Sequence, residues 1–150
     1  MELKDEIIIN ASQAVVYAAL NDPEVLKQCI PGCEELIKHS NTELEAKVVL
    51  KIGPVKAKFS GNVTLSPAEP PERFSLAGTG NGGAAGYVKG GAVVELEQHQ
   101  DGTLLRYTAT ADIGGKLAQL GSRLIQGTAK KLAAEFFKSF ADLVREDNAG

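Results

Sequence analysis

Two thiols, a glycine-rich run and a stripe of cations are the residues of this chain whose types and spacing can do chemistry. Cys29-Ile30-Pro31-Gly32-Cys33 sets three residues between its thiols, with a turn forced at Pro31-Gly32. That is neither a thioredoxin-type pair nor half of a four-cysteine zinc site, and His39 and His99 have no ligand-like spacing to it. The pair reads as structural. The run Gly78–Gly91 gathers Gly78, Gly80, Gly82, Gly83, Gly86, Gly90 and Gly91 out of 16 glycines in the chain. A phosphate loop needs such glycines between a strand and a helix, so that amide dipoles converge on the anion. Here a strand pattern follows, and Lys89 has no Ser or Thr beside it. Two readings stand: a hairpin whose glycines permit positive φ and close backbone approach, or a flap of Gly78, Gly80, Gly83 and Gly86 at a pocket mouth, with Tyr87 as its one large side chain.

No Ser-His-Asp, Cys-His or HExxH arrangement is present. Glu95, Glu97 and Asp112 sit beside apolar Val94, Leu96 and Ala111 and read as solvated strand positions, while Glu135 lies on the flank of a helix. Nothing marks a general acid–base pair. Lys116, Arg123, Lys130 and Lys138 fall on one side of the C-terminal helical segment. They are either a solvated face or a contact for an acidic partner or an anionic membrane surface. Phe137 falls off the main apolar arc and reads as exposed beside that stripe.

The elements that must position these residues follow from periodicity. Leu3–Asn10 ends in Ile7-Ile8-Ile9, a partly buried strand, and Asn10 with Gln13 resembles a capping box opening a short helix. Asp22-Pro23 opens a second, running to about Gln28. The rhythm then changes to two: Leu44, Ala46, Val48, Leu50 and Ile52, then Val55, Ala57, Phe59, Gly61, Val63 and Leu65, with a break at Gly53-Pro54. Strict alternation predicts half-buried antiparallel strands. Further strands are predicted around 73–80, 86–98 and 103–113, the last two joined at Asp101-Gly102. One long helix is expected from about Lys116 to Val144, with Leu117, Leu124, Ile125, Thr128, Leu132, Phe136, Phe140 and Leu143 on its apolar arc.

The order is strand, two short helices, about six strands and a long helix. It predicts an α+β fold, a curved antiparallel sheet gripping the C-terminal helix, as one domain over 1–150. Of the 150 residues 43% are hydrophobic and 23% charged, which excludes a disordered or disulfide-stapled chain. Sixteen basic against 19 acidic residues, net −3, argue against nucleic-acid binding. No apolar run approaches the ~18 residues of a spanning helix, and no secretory leader is read, so a cytoplasmic protein is expected. Aromatics are 5%, without tryptophan. So thin a filling suggests a cavity between sheet and helix. The small residues Gly121, Gly127 and Ala129 place it at the start of the helix, with Phe136, Phe137 and Phe140 packing the other end. Leu117, Leu120, Leu124 and Thr128 would line it from the helix, Phe59, Val63 and Tyr107 from the sheet, and Tyr87 from the flap.

Several stretches together resemble the CoxG family, named for the G subunit of carbon monoxide dehydrogenase and part of the START-like (SRPBCC) superfamily. They are Asp22-Pro23-Glu24, Cys29–Glu34, Ile52-Gly53-Pro54-Val55-Lys56, Phe59-Ser60-Gly61, Gly78–Gly90 and Gly114–Ile125 followed by Phe136-Phe137. The resemblance implies a helix-grip fold with an apolar cavity, no assigned catalytic residues or cofactor, and service to a molybdenum hydroxylase of the carbon monoxide or xanthine dehydrogenase type. The roles it implies are membrane recruitment, quinone-linked electron transfer or maturation. Some relatives continue into a membrane-associating tail. The present sequence stops at Gly150, so only weak peripheral attraction through the basic stripe is expected. The leading expectation is a non-enzymatic binder of a lipid or quinone-like molecule. Its rivals are an interaction adaptor with a filled core and a START-like enzyme with a polar group buried in the pocket.

Overall fold

The computed structural model describes residues 1–145, apart from the side chains of residues 67 and 68. Seven antiparallel strands form one sheet: β1 (Glu2–Ile9), β2 (Cys33–Lys38), β3 (Glu43–Ile52), β4 (Val55–Glu69), β5 (Arg73–Asn81), β6 (Tyr87–His99) and β7 (Gly102–Gly114). Their order is β1-β7-β6-β5-β4-β3-β2, so β2 to β7 run as a meander and β1 docks on the last strand. The alternation expected for β3 and β4 is realised: Leu44 faces Val63 and Ile52 faces Val55 across a two-residue turn. Gly53 there has φ +58, the left-handed value such a tight hairpin demands of its first residue. β2 is not anticipated from the pattern. A register shift between Cys33 and Glu35 breaks its period of two, leaving too few alternations to read.

Between β1 and β2 come α1 (Gln13–Leu20) and α2 (Pro23–Cys29). Asp22 caps α2 as expected, its carboxylate accepting from the Glu24 N–H at 2.9 Å. α1 is capped by Ser12, whose hydroxyl accepts from Val15 N–H at 3.3 Å, and not by Asn10. Between β1 and α1, Ala11 is 2% exposed, and its carbonyl accepts from the buried Thr103 hydroxyl at 2.7 Å. That satisfied bond lets Thr103 sit in the core.

The long C-terminal helix, α3, spans Ser122–Val144. The expected start at Lys116 is corrected. Gly115–Leu120 forms a separate 3-10 segment, and Gly121 at φ +94 interrupts the chain, a value no helix interior holds. Among the described residues of α3 only Phe140 is fully buried. It joins Ile9, Val16, Leu20, Phe74, Leu96 and Leu105 in the main core, beneath α1 and α2. Phe59, Ala85 and Leu117 are buried outside that cluster, at the opposite end of the strands.

That second end is built from backbone contacts. Gly82 lies against the Phe59 ring, and Gly86, at φ +121, presses on the Gly114 carbonyl so closely that a Cβ there would sit 2.1 Å from its oxygen. Gly86→Ala is expected to lower stability by about 1–3 kcal/mol in urea denaturation, because it adds both a forbidden φ and a clash. Phe140→Ala is expected to cost about 3–5 kcal/mol by the same measurement. A loss under about 1 kcal/mol would show that α3 is held elsewhere.

Candidate functional site

The cavity arises where α3 and the sheet part company. At its C-terminal half, α3 rests on α1 and α2 through Phe140. Phe136, one turn earlier, stacks on Phe140 with centroids 6.0 Å apart and meets Phe137 edge-on at 5.0 Å. Phe137 in turn stacks on Tyr107 of β7 at 5.1 Å and 21°. These rings prop the helix off the strands, and opposite them the sheet offers Ala46 and Ala92 in places where larger side chains would fill the gap. The result is a cavity of about 260 Å³. Leu44, Val63, Leu65, Phe74, Leu76 and Val94 line it from β3 to β6, Leu36 from β2, Leu20, Leu26 and Ile30 from the short-helix layer, and Phe136 and Phe137 from α3.

Every lining side chain is hydrocarbon except Tyr107. Burial, and secondarily the negative charge of Asp5, hold the Tyr107 phenol above its ordinary pKa, so it stays a neutral hydrogen-bonding group. Asp5 is its direct partner across the β1–β7 ladder. The cavity can therefore take an apolar molecule, which Tyr107 meets with its ring carbons. Among the described residues its lining has no carboxylate, imidazole or thiol with which to do acid–base or nucleophilic work.

Of the residues expected to line a pocket, Val63 and Tyr107 come together on this lining. The others lie elsewhere. Phe59 is buried under Gly82, and Leu117 is buried on the 3-10 segment before α3, with Leu120 half-buried beside it. Tyr87 is 54% exposed, its ring laid over Gly114. Leu124 is 37% exposed and packs over Gly53 at the β3–β4 turn, and Thr128 is half-buried. The expected siting is thus reversed: the void adjoins the aromatic end of α3. At the start of the helix, exposed Gly127 lines only an open surface depression with Ser122, Arg123, Gln126 and Lys130. Phe137, read as exposed, is half-buried and walls the cavity. Leu44, Leu65, Leu76 and Val94 are legible as inward strand positions, but nothing in the sequence singles out their row as the empty one.

The flap is corrected as well. Gly78 and Gly80 are paired strand residues of β5, Gly78 facing Gly90 of β6. Gly83 and Gly86 belong to a 3-10 turn, Gly83–Ala85, and its C-cap, far along the strands from the cavity. Lys116, Arg123, Lys130 and Lys138 are all exposed. Cys29 is buried and Cys33 half-buried, both as free thiols. Burial pushes both thiols up; at Cys33 a backbone hydrogen bond at Glu35 and the charge of Lys27 oppose it. Neither thiol is activated. Among the described residues no cluster of three or more His, Cys, Asp or Glu is placed to hold a metal ion, and no helix is long and apolar enough to cross a membrane.

Comparison with solved structures places this architecture among known ones. A conserved protein of Geobacillus kaustophilus is 31% identical, with a TM-score of 0.89 over 96% of this chain and 95% of that one. TTHA0849 of Thermus thermophilus is 18% identical at TM-score 0.72, covering 96% and 97% of the two chains. Ara h 8.0201 is 14% identical at TM-score 0.65, covering 96% and 97%. The last two show the fold alone, the helix-grip arrangement of a curved sheet around a C-terminal helix. No curated protein matches. The family model for the G subunit of carbon monoxide dehydrogenase (CoxG) matches residues 6–144, and with that match over nearly its whole length the chain belongs to the CoxG family.

Proposed function

We propose that this protein is a non-enzymatic accessory of a molybdenum hydroxylase of the carbon monoxide dehydrogenase type. It holds a lipid or quinone-like molecule in the cavity between α3 and the sheet. The observation that carries this reading is the cavity itself: about 260 Å³ walled almost wholly by hydrocarbon. An apolar ligand is favoured there in proportion to the area it removes from water, ~25 cal/mol per Å². An enzyme would need a buried reactive group, and the lining supplies none beyond the phenol. A filled-core adaptor would have no such void. The partner class rests on the family, whose description names carbon monoxide dehydrogenase. The function is cytoplasmic, with the exposed cations Lys116, Arg123, Lys130 and Lys138 giving at most a salt-sensitive touch on a partner or the inner membrane surface.

Native mass spectrometry after incubation with mixed lipid and quinone extracts is expected to show a retained hydrophobic adduct. Ala46→Phe, which fills the cavity from β3, is expected to lose it while remaining folded. Leu124→Trp, off the lining, is expected to keep it. Retention by Ala46→Phe together with loss in Leu124→Trp would move the site to the start of α3.

The raised pKa of Tyr107 has a stability consequence of fixed sign. The folded protein holds this proton more tightly than the unfolded chain does. The contribution is fully present below the unfolded value near ~10 and is lost as pH rises through the higher folded value. Tyr17 is shifted the same way by burial. Chemical denaturation between neutral pH and strong alkali is expected to show stability falling above pH ~10, with a shallower fall in Tyr107→Phe. An identical slope in the two proteins would remove Tyr107 from the account.

A further inference from the structure

The walls of the cavity hold no group, among the described residues, that can bond to an oxygen atom of a guest. Tyr107 meets it with ring carbons, and every other lining side chain is hydrocarbon. The backbone beneath is committed to the sheet. Leu44 pairs with Val63, Leu65 with Leu76 and Leu76 with Ala92, so the N–H groups of these strands point at neighbouring strands and not into the void. Among the described residues no buried side-chain nitrogen or oxygen lacks a partner. A carbonyl or hydroxyl carried inside would lose its bonds to water and find no others, a loss of roughly ten- to a hundredfold in affinity for each such group.

The space also has a direction. Leu76 and Ala92 face each other across β5 and β6 and line the cavity. Two and four residues further along the same face of β5 come Gly78 and Gly80. Gly80 pairs with Gly61 of β4, and Gly61 pairs with Ala46, itself on the cavity wall. A Cβ built on Gly80 would meet no heavy atom within 4 Å, and one on Gly61 would meet only strand carbonyl oxygens, at 3.4 and 3.9 Å. No side chain of α3 comes that close to either position, and Ile125, Thr128 and Leu132 on its apolar arc are only half-buried. Open space thus continues from Leu76 to Gly80, ~13 Å at ~3.3 Å per residue. The next inward residue of β4 is Phe59, buried with its ring against Gly82, and it closes that end.

A quinone ring carries two carbonyls on opposite sides, and a lipid head group carries more oxygens. Their tails carry none. An elongated space without hydrogen-bond donors therefore treats the two halves of either molecule differently.

We propose that the cavity is a tail site: the hydrocarbon chain of the ligand lies lengthwise along β4 and β5, from Leu76 toward Gly80, while its polar ring or head group stays outside. This rests on the ligand-binding reading above and adds which part of the ligand is held. Recognition is then by chain length and is indifferent to the head. Each methylene that enters tightens binding about fourfold, until the chain reaches Phe59.

Isothermal titration of the full chain with 1-hexanol, 1-octanol, 1-decanol, decanoate and duroquinone, a methylated quinone ring without a tail, separates the two claims. The alcohols are expected to tighten about fourfold per added methylene. Decanoate is expected to bind within about threefold of 1-decanol at high salt, and duroquinone about tenfold or more weakly than 1-octanol. Gly80→Leu changes a strand position without positive φ and is expected to melt no lower than the parent. It should keep 1-hexanol and lose the gain from 1-octanol to 1-decanol. In the parent, the methyls of Val88, paired with Gly80, are expected to shift in NMR spectra with 1-decanol and not with 1-hexanol. Duroquinone binding as tightly as 1-octanol, or equal affinity for all three alcohols, overturns the tail site and leaves the ligand cavity standing. A length dependence unchanged by Gly80→Leu, or Val88 methyls unmoved by saturating 1-decanol, overturns it as well. If no probe binds the parent, both readings fall.

Discussion

The packing of Phe140 is the contact on which the rest of this structure depends. A helix of 23 residues crosses a sheet that curves away from it, yet among the described residues only this side chain of α3 is fully buried. It anchors the C-terminal half of α3 in the core made by β1, α1 and β7, and Phe136 and Phe137 stand one helical turn before it. Once Phe140 is fixed, those two rings must stand over the strands, and they stand too high to fill the space above Ala46 and Ala92. The cavity is the volume left by that mismatch. Its apolar character needs no separate cause, since the residues around it are the inward positions of strands and helices that would otherwise have met.

This explains why the void can persist. A gap lined by leucine, valine and phenylalanine is not attractive to water, which finds at most one hydroxyl there. Closing it would require larger residues at 46 and 92, or a tilt of α3 that withdraws Phe140 from the core. Giving up a buried phenylalanine costs about 3–5 kcal/mol, and the same tilt would break the stacking of Phe137 on Tyr107. It would exchange one poorly filled space for another. A ligand in the cavity supplies the dispersion partners that its lining lacks.

Much of the fold is legible in the residues. The alternation from Leu44 to Leu65 sets β3 and β4 and their turn, Asp22-Pro23 sets the start of α2, and the apolar arc of the C-terminal segment sets α3. Glycine in the 115–121 stretch carries the information that the helix starts late, but positive φ at Gly121 is visible only once tertiary contacts are in place. The cavity is legible in kind and misplaced in position. Small residues point to space and large rings to filling, yet Gly127 is exposed to solvent, and Phe136 and Phe137 act as struts. Ring size says how much volume a side chain occupies, whereas a void is set by what stands opposite it. The pairing of α3 with the alanines of β3 and β6 is a long-range fact with no local signal. The glycine-rich run shows the converse: its Gly78, Gly86, Gly90 and Gly91 serve close backbone approach, as at Gly86 against Gly114, the plainer of its two readings.

Methyl NMR would test the central claim most directly. With leucine and valine methyls labelled, titration with 1-decanol should shift Leu44, Val63, Leu65, Leu76 and Val94 while leaving Leu117 and Leu124 in place. Shifts confined to Leu117 and Leu124, or none at all at saturating ligand, would contradict a binding cavity between the aromatic end of α3 and the sheet.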